Sequence, residues 1–540
     1  VSLMLKTKYI IGFFLILMML PILTIFSYLF VPSTEIWEHL IENLLNTYLY
    51  NTGFLVFWVM FFTFIIGVSC AWLVTMYNFP GKNIFRWLLV FPIAIPTYVS
   101  AFIYAGLFEP SGILFDMTEQ FFGMGASLYK TIGMRNIYGA VFILTICLYP
   151  YVYLLCYSAF NQQSYCAFEV GRSMGFTNTE CFLKIGLPLA RPGVIAGLSF
   201  VVMETLAEYG TMDYYGVSTF TTGIFRTWFG FGDENSSLHL ASILLTFVFI
   251  VMIVERYSRG NSQYFHTSQV MRNIRQKNLF GFESFCAFLW CFIIISLATL
   301  IPIFQLLVWF LDTYSSIFKE SYFQLIWNTT WIAGISSLII VLISVYFCYL
   351  DRSLKSIFTN FSLKVLSLGY SIPGVVIAIG IMTPIAFFDE LQTVLTNDKP
   401  FFYLSGSFIA LILAYAIRFS TISLKTNESG LNKIKENIDL TARSYGFSKI
   451  SILRKIHAPM MKVTIITSLI LVFVDIVKEL PATLIMRPFN FNTLAVNIYE
   501  LASAEQLSYI ASPALTLIII GLIPVIILIR KTVGDEREQY

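Results

Sequence analysis

Long apolar runs separated by short polar or basic stretches recur along the whole chain. They fall near 9–30, 53–77, 87–108, 138–160, 192–212, 238–254, 284–311, 331–350, 363–387, 405–424, 463–480 and 508–529. Each is close to the roughly 20 residues that an α-helix needs to cross the hydrocarbon of a bilayer. The pattern therefore predicts an all-α polytopic membrane protein with about 12 transmembrane helices. The opening run, "VSLMLKTKYIIGFFLILMMLPILTIF", is too long for a signal-peptide core and no small-residue cleavage site comes after it, so it is expected to remain as the first helix.

Composition excludes a soluble fold: 57% of residues are hydrophobic and 12% charged, with a mean hydropathy of +0.76, against roughly a quarter charged in soluble domains. The placement of charge says more than the net +3. With the N-terminus in the cytoplasm, the inner segments carry Lys6 and Lys8; Lys82 and Arg86; Arg172, Lys184 and Arg191; and the basic cluster from Arg256 to Lys277. They also carry Arg352, Lys355 and Lys364, nine cations from Arg418 to Lys462, and Arg530, Lys531 and Arg537. The outer segments hold only Lys130, Arg135, Arg226, Lys319, Lys399 and Arg487, and Lys478 lies inside a run. This asymmetry predicts that both termini are cytoplasmic. All eight cysteines fall in runs or inner segments, none is placed for an extracytoplasmic disulfide, and no C-x-x-C or Cys/His cluster suggests a metal cage.

An internal repeat divides the chain. "VGRSMGFTNTECFLKIGLPLARPGV" from Val170 returns as "TARSYGFSKISILRKIHAPMMKVT" from Thr441, with Gly446 lying 271 residues after Gly175. The register persists downstream: Glu204 and Glu208 fall on Asp475 and Glu479, Phe220 and Thr222 on Phe491 and Thr493, and Trp228 on Tyr499. Residues 1–260 and 261–540 then form two halves of six runs each, and an even number gives both the same orientation in the membrane. The polar stretch Arg256 to Lys277, with Gly260 and Ser262, reads as their connector.

The repeated segment has its own local logic. Its first helix should stop at Gly175, the residue that best tolerates a left-handed C-cap. Thr177 with Glu180 three residues on forms a capping-box pattern that starts a second helix, expected to end before Pro188. Gly446, Ser448 and Pro459 repeat the plan. Two short helices joined by a glycine elbow, on the cytoplasmic side in each half, make a pair of projecting knobs.

The segments "EVGRSMG" with "IGLP", and more loosely "LTARSYG" with "IHAP", resemble the EAA loop of ABC-importer permeases, here at about 161–190 and 432–461. The resemblance implies a type I importer permease fold and loops that seat in clefts of a separate ATP-hydrolysing subunit, present in two copies. It assigns ATPase coupling to Glu169, Gly171, Gly175 and Pro188, and to Ala442, Gly446 and Pro459; Leu440 stands where the second glutamate belongs, with Asp439 beside it. "ETLAEYGTMDYYGVSTFTTGIFRTWFGFGD" and "DIVKELPATLIMRPFNFNTLAVNIYELAS" look like the matching stretches of fused two-half permeases for ferric iron. That likeness implies import of ferric iron from the periplasm or cell exterior, across the bacterial inner membrane, with a periplasmic or lipid-anchored solute-binding protein. No cofactor is expected in this chain, ATP and Mg belonging to the partner ATPase. Thiamine and polyamine importers have similar permeases, so another cationic solute stays open, as does an ion-coupled secondary transporter. The chain itself is expected not to be an enzyme, since "PGKNIF" at Pro80 lacks the upstream glycine and the hydroxyl of a phosphate-binding loop.

Within "VFVDIVKELPATLIMRPFNF" lie Asp475, Lys478 and Glu479, and an ion at the centre of a membrane helix costs at least about 2.5 kcal/mol. Glu204 and Glu208, like Asp475 and Glu479, are spaced to share one helix face. Each first acid lies about thirteen residues, roughly 20 Å, beyond Arg191 or Lys462. Two such faces meeting across a pseudo-twofold axis would form a ring of up to four carboxylates lining a translocation path, which favours cations. Oxygen ligands suit iron(III), and no high-affinity metal site is expected, because a tight site would trap the ion. The competing role is structural: bonding to backbone, or pairing with Lys478, Arg226 or Arg487. Pro92, Pro96 and Pro373 should break the third run of each half, lining a cavity or merely kinking it. His39, His239, His266 and His457 are too scattered to read as ligands, and Trp228 and Tyr499 suit either a delivering protein or the membrane interface.

Overall fold

The structure, a computed structural model, describes residues 2–110, 133–161, 165–259, 276–314, 320–396 and 402–523, with a few positions between 112 and 123. The first half supplies α1 (Ser2–Ser27), α2 (Leu45–Met76), α3 (Thr97–Phe108), α4 (Ile137–Asn161), α5 (Leu187–Ala207) and α6 (Glu234–Arg259). The second supplies α7 (Gly281–Ile295, continuing through a π-turn to Thr313), α8 (Glu320–Leu354), α9 (Gly374–Thr396), α10 (Phe408–Asn432), α11 (Lys462–Val477) and α12 (Leu507–Ile523). Among the described residues nine helices are long and apolar enough to span a bilayer, two sharply bent pairs add two more, and the shorter α12 fills the twelfth run. The described strand content is one parallel pair, Tyr77–Asn78 with Lys277–Asn278. The connector from Gly260 to Arg275, with His266, lies outside the described residues.

The prolines break the third run of each half as expected. A 3₁₀ turn at Phe91–Ala94 leads into extended Ile95 and Pro96, α3 starts at Thr97, and the two pieces meet at 93°. In the second half the 3₁₀ turn Gly369–Ser371 leads through extended Ile372 and Pro373 into α9. Proline removes a helix donor and pushes the preceding residue out of helical conformation, so both breaks are written in the sequence.

Packing divides the chain differently from the repeat. One compact unit comprises residues 1–37, 224–242 and 313–540; the other comprises 38–223 and 243–312. In the latter, α2 and α5 close on α4 through glycine. A Cβ on Gly67 would lie 2.6 Å from Val152 Cβ, and one on Gly197 would lie 2.8 Å from Val152 Cα. Small residues let helix backbones approach where lipid gives no hydrophobic drive for association. α7 joins this unit, its Trp290 Nε1 donating to Ser69 Oγ at 3.0 Å, while Tyr104 of α3 donates its hydroxyl to the Leu297 carbonyl at 2.5 Å.

The other unit is built on α8, α10 and α11, with Ser423 and Ser468 hydroxyls 2.8 Å apart and Asn427 Nδ2 donating to both. Here α1 lies against α9, where a Cβ on Gly380 would come within 2.9 Å of Pro21. The leading helix of each sequence half thus packs with helices of the other half. Gly197→Leu is expected to overpack the α4 contact and destabilise the protein by about 1–3 kcal/mol. A lowered melting temperature in detergent checks this, with Gly334→Ala, whose Cβ meets nothing within 4 Å, as the unchanged control.

Candidate functional site

Each half presents the same elbow. The helix Tyr165–Ser173 ends in Gly175 at φ +84°, with Phe176 N–H bonding back to the Gly171 carbonyl at 3.1 Å. Glu436–Ser444 ends in Gly446 at φ +80°, with Phe447 N–H bonding to the Ala442 carbonyl at 3.1 Å. Both are Schellman closures, and the left-handed position is why glycine stands there. Thr177 and Glu180 then form a full capping box on Asn178–Cys181, and Ser448 caps Lys449–Ile452 by accepting from Ser451 N–H.

Pro188 does not end the second helix as expected. A π-turn, Phe182–Gly186, carries it into α5 with Pro188 at the head of the new segment, where its missing N–H is harmless. The π-turn Leu453–His457 takes the same place in the second half, but there the chain stops at Met461 and α11 leaves at 80°. Gly171 needs its lack of side chain because a Cβ would strike Ile185. The backbone of Glu169 lies in the elbow helix, but its side chain lies outside the described residues.

The elbows share geometry but not glue. In the first, buried Phe168 joins Trp72, whose ring centroid lies 5.8 Å away, and Trp72 also meets Phe160 and Phe182; Gly186 leaves room for it, since a Cβ there would be 2.7 Å from the indole. In the second, 271 residues on, Asp439 replaces Phe168 and His457 replaces Gly186. Asp439 pairs with Arg352 Nε at 2.7 Å and His457 Nε2 at 2.5 Å, Arg352 also donates to the Leu431 carbonyl, and Tyr349 donates to the Lys449 carbonyl at 2.7 Å. Ala442 is buried beside Tyr349 and Ile452. Leu440 is exposed, so the acid beside it, not the position equivalent to Glu169, does the anchoring. At the rim, Lys355 lies 2.7 Å from Glu436 and holds that carboxyl below its usual range.

The four acids expected inside the membrane are placed differently from expectation. Glu204 and Asp475 lie within α5 and α11, but Glu208 and Glu479 lie just beyond the helix ends, so neither pair shares a helical face. Both later acids cap the next short helix: Glu208 accepts from Thr211 N–H at 2.9 Å, and Glu479 from Ala482 N–H at 3.1 Å. Asp475 pairs with Lys478 at 2.7 Å. Glu479 meets Arg418 at 3.4 Å, both buried; Arg418, counted with the inner-loop cations from sequence, sits inside α10. Arg487 pairs instead with Glu500. Among the described residues no three His, Cys, Asp or Glu side chains gather as a metal site. The ionic elbow and the Arg418–Glu479 pair were missed from sequence, although a cation inside an apolar run and a histidine replacing a repeated glycine were their visible signals.

The family described as "Binding-protein-dependent transport system inner membrane component" matches residues 63–259 and 347–533. The chain is 24% identical over 525 residues, 95% of its own length and 96% of the relative's, to "Fe(3+)-transport system permease protein FbpB 2" of Haemophilus influenzae. It is 27% identical over 151 residues to "Sulfate transport system permease protein CysT" of Salmonella typhimurium, covering 28% of this chain and 52% of that one. It is 28% identical over 207 residues to "Maltose/maltodextrin transport system permease protein MalF" of the same organism, covering 35% and 40%.

Asp439→Ala strips the counter-charge from the largely buried Arg352 and the partner of buried His457, and is expected to destabilise the protein by about 3–5 kcal/mol. Glu436→Ala, at an exposed pair, should leave melting close to that of the parent. Melting of the purified variants compares the two.

Proposed function

The chain belongs to the family of binding-protein-dependent transport inner membrane components, and on that premise we propose that it is the permease of an ATP-driven importer of ferric iron. A multi-pass inner-membrane permease needs a cargo source and an energy source, neither of which this chain supplies. The observation that carries the cargo is the likeness to a ferric permease across nearly the full length of both chains, whereas the sulfate and maltose relatives match only part. The intramembrane carboxylates fit a cation, since oxygen ligands suit iron(III) and carboxylates along a pore favour positive charge.

The two elbows are the proposed seats for two ATPase subunits on the cytoplasmic side, where both termini also lie. Glu169, Gly171, Gly175, Pro188, Ala442, Gly446 and Pro459 form or brace them. The first elbow joins through a π-turn directly to α5 and the second through a π-turn and the bend at Met461 to α11, so tilting an elbow as the ATPases close moves the helix that carries an acid. ATP and Mg act on the partner, and a solute-binding protein delivers iron from outside. The two different anchors hold both levers rigid, which a push through a short helix requires.

The test is radioactive iron(III) uptake in bacteria lacking their own ferric importers, supplied with this chain, its ATPase and its binding protein, with thiamine and spermidine run in parallel. ATP-dependent iron uptake is expected. Gly175→Val with Gly446→Val, which forces branched side chains into left-handed backbone, should abolish uptake while the protein still reaches the membrane. Uptake of thiamine or spermidine in place of iron would overturn the cargo, and uptake without any ATPase would overturn the coupling.

A further inference from the structure

Two of three matched positions differ between the halves, and the third, a glutamate in both, makes different partners. Thr97 and Gly374 each open the helix after a proline break, Cys147 and Arg418 occupy the same place in α4 and α10, and Glu208 and Glu479 each come just after a helix end and cap the next turn. In the second half these residues make a closed unit. Arg418 reaches Glu479, and their side chains are 9% and 5% exposed. A Cβ at residue 374 would collide with Arg418 Nη1 and lie 2.7 Å from Glu479 Oε1, so the glycine admits the guanidinium. The positions are sterically coupled: a side chain at 374 would displace the guanidinium from its place beside Glu479.

In the first half no cation takes that place. The residue matched to Arg418 is a buried thiol, Cys147, and the residue matched to Gly374 is Thr97, whose hydroxyl donates to Glu208 Oε2 at 2.5 Å. Among the described residues Glu208 has hydrogen bonds from Thr97 and Thr211 N–H but no ion pair. Its geometry as a cap is kept, and among the described residues no cation sits against it. A chain that pairs one acid of a duplicated pair with a cation and leaves the other without one has separated the structural use of the carboxylate from its electrostatic use.

We infer that duplication has divided the two acids: Arg418 and Glu479 form a neutral strut across the break in the second half, and Glu208 is the charge that the cationic cargo meets. This rests on the importer reading above. Arg418 is a positioning residue, acting through Glu479 on the ends of α9 and α11.

The test uses the full importer in proteoliposomes, reading iron(III) uptake and, separately, melting of the purified permease. In Glu208→Gln the amide oxygen still accepts from Thr211 N–H and the amide NH2 can donate to the Thr97 hydroxyl, so it should melt like the parent yet lose at least about tenfold in uptake, with Glu208→Asp recovering part of it. Glu479→Gln alone strands Arg418 and should melt lower. Arg418→Met with Glu479→Gln removes both charges and should restore melting. Parental uptake by Glu208→Gln, a double variant that melts as low as Glu479→Gln alone, or unchanged melting of Glu479→Gln would each overturn the inference. A Glu208→Gln protein that fails to accumulate also overturns it, because the charge would then be holding the fold. A parent complex that moves no cation at all overturns the importer reading and this inference together.

Discussion

A helix end buried away from water leaves amides and carbonyls that other groups must satisfy, and at the breaks after Ala207 and Val477 local side chains do so. At each, a carboxylate accepts from the first free amide of the next turn, and a threonine hydroxyl donates to the carbonyl of the capping acid: Thr221 to Glu208, and Thr483 to Glu479. Tyr415 then holds Thr483 at 2.7 Å. The broken backbone is therefore occupied by local partners. A short helix at an angle to its predecessor becomes tolerable at membrane depth, and the proline breaks at Pro96 and Pro373 bring Thr97 and Gly374 to the same places.

The elbows obey a second constraint, a shared backbone geometry. Backbone geometry is shared between them to the turn, down to the Schellman bond and the five-residue π-turn. The side chains that pin the geometry are free to differ, because an aromatic cluster around Trp72 and an ionic cluster around Asp439 both remove the freedom of the helix they hold. The aromatic anchor rests on packing area and needs no counter-charge. The ionic anchor depends on every member being present, and so is the more fragile of the two.

Sequence alone reached the repeat, the proline breaks, the glycine elbows and the capping box, because each depends on the backbone preferences of a few neighbouring residues. Apolar run length likewise placed the long apolar helices, nine among the described residues and up to eleven with the two bent pairs, since hydrocarbon thickness fixes how many residues a helix needs. Sequence failed where a residue's role depends on what is packed beside it. Spacing put Glu204 with Glu208 on one face, but the helix ends between them; Pro188 read as a stop, but a π-turn absorbs it. Arg418 counted as a loop cation until α10 carried it to Glu479.

The sequence by itself determined a duplicated all-helical membrane protein with two matched elbows, because period, length and turn chemistry are local properties that no packing overrides. Only the tertiary structure decided which acids are paired, which elbow is pinned by charge, and that α1 and α7 each pack into the unit formed by the other half's helices. Those outcomes depend on side chains brought together from positions tens to hundreds of residues apart, and a pattern read along one chain carries no record of such distances.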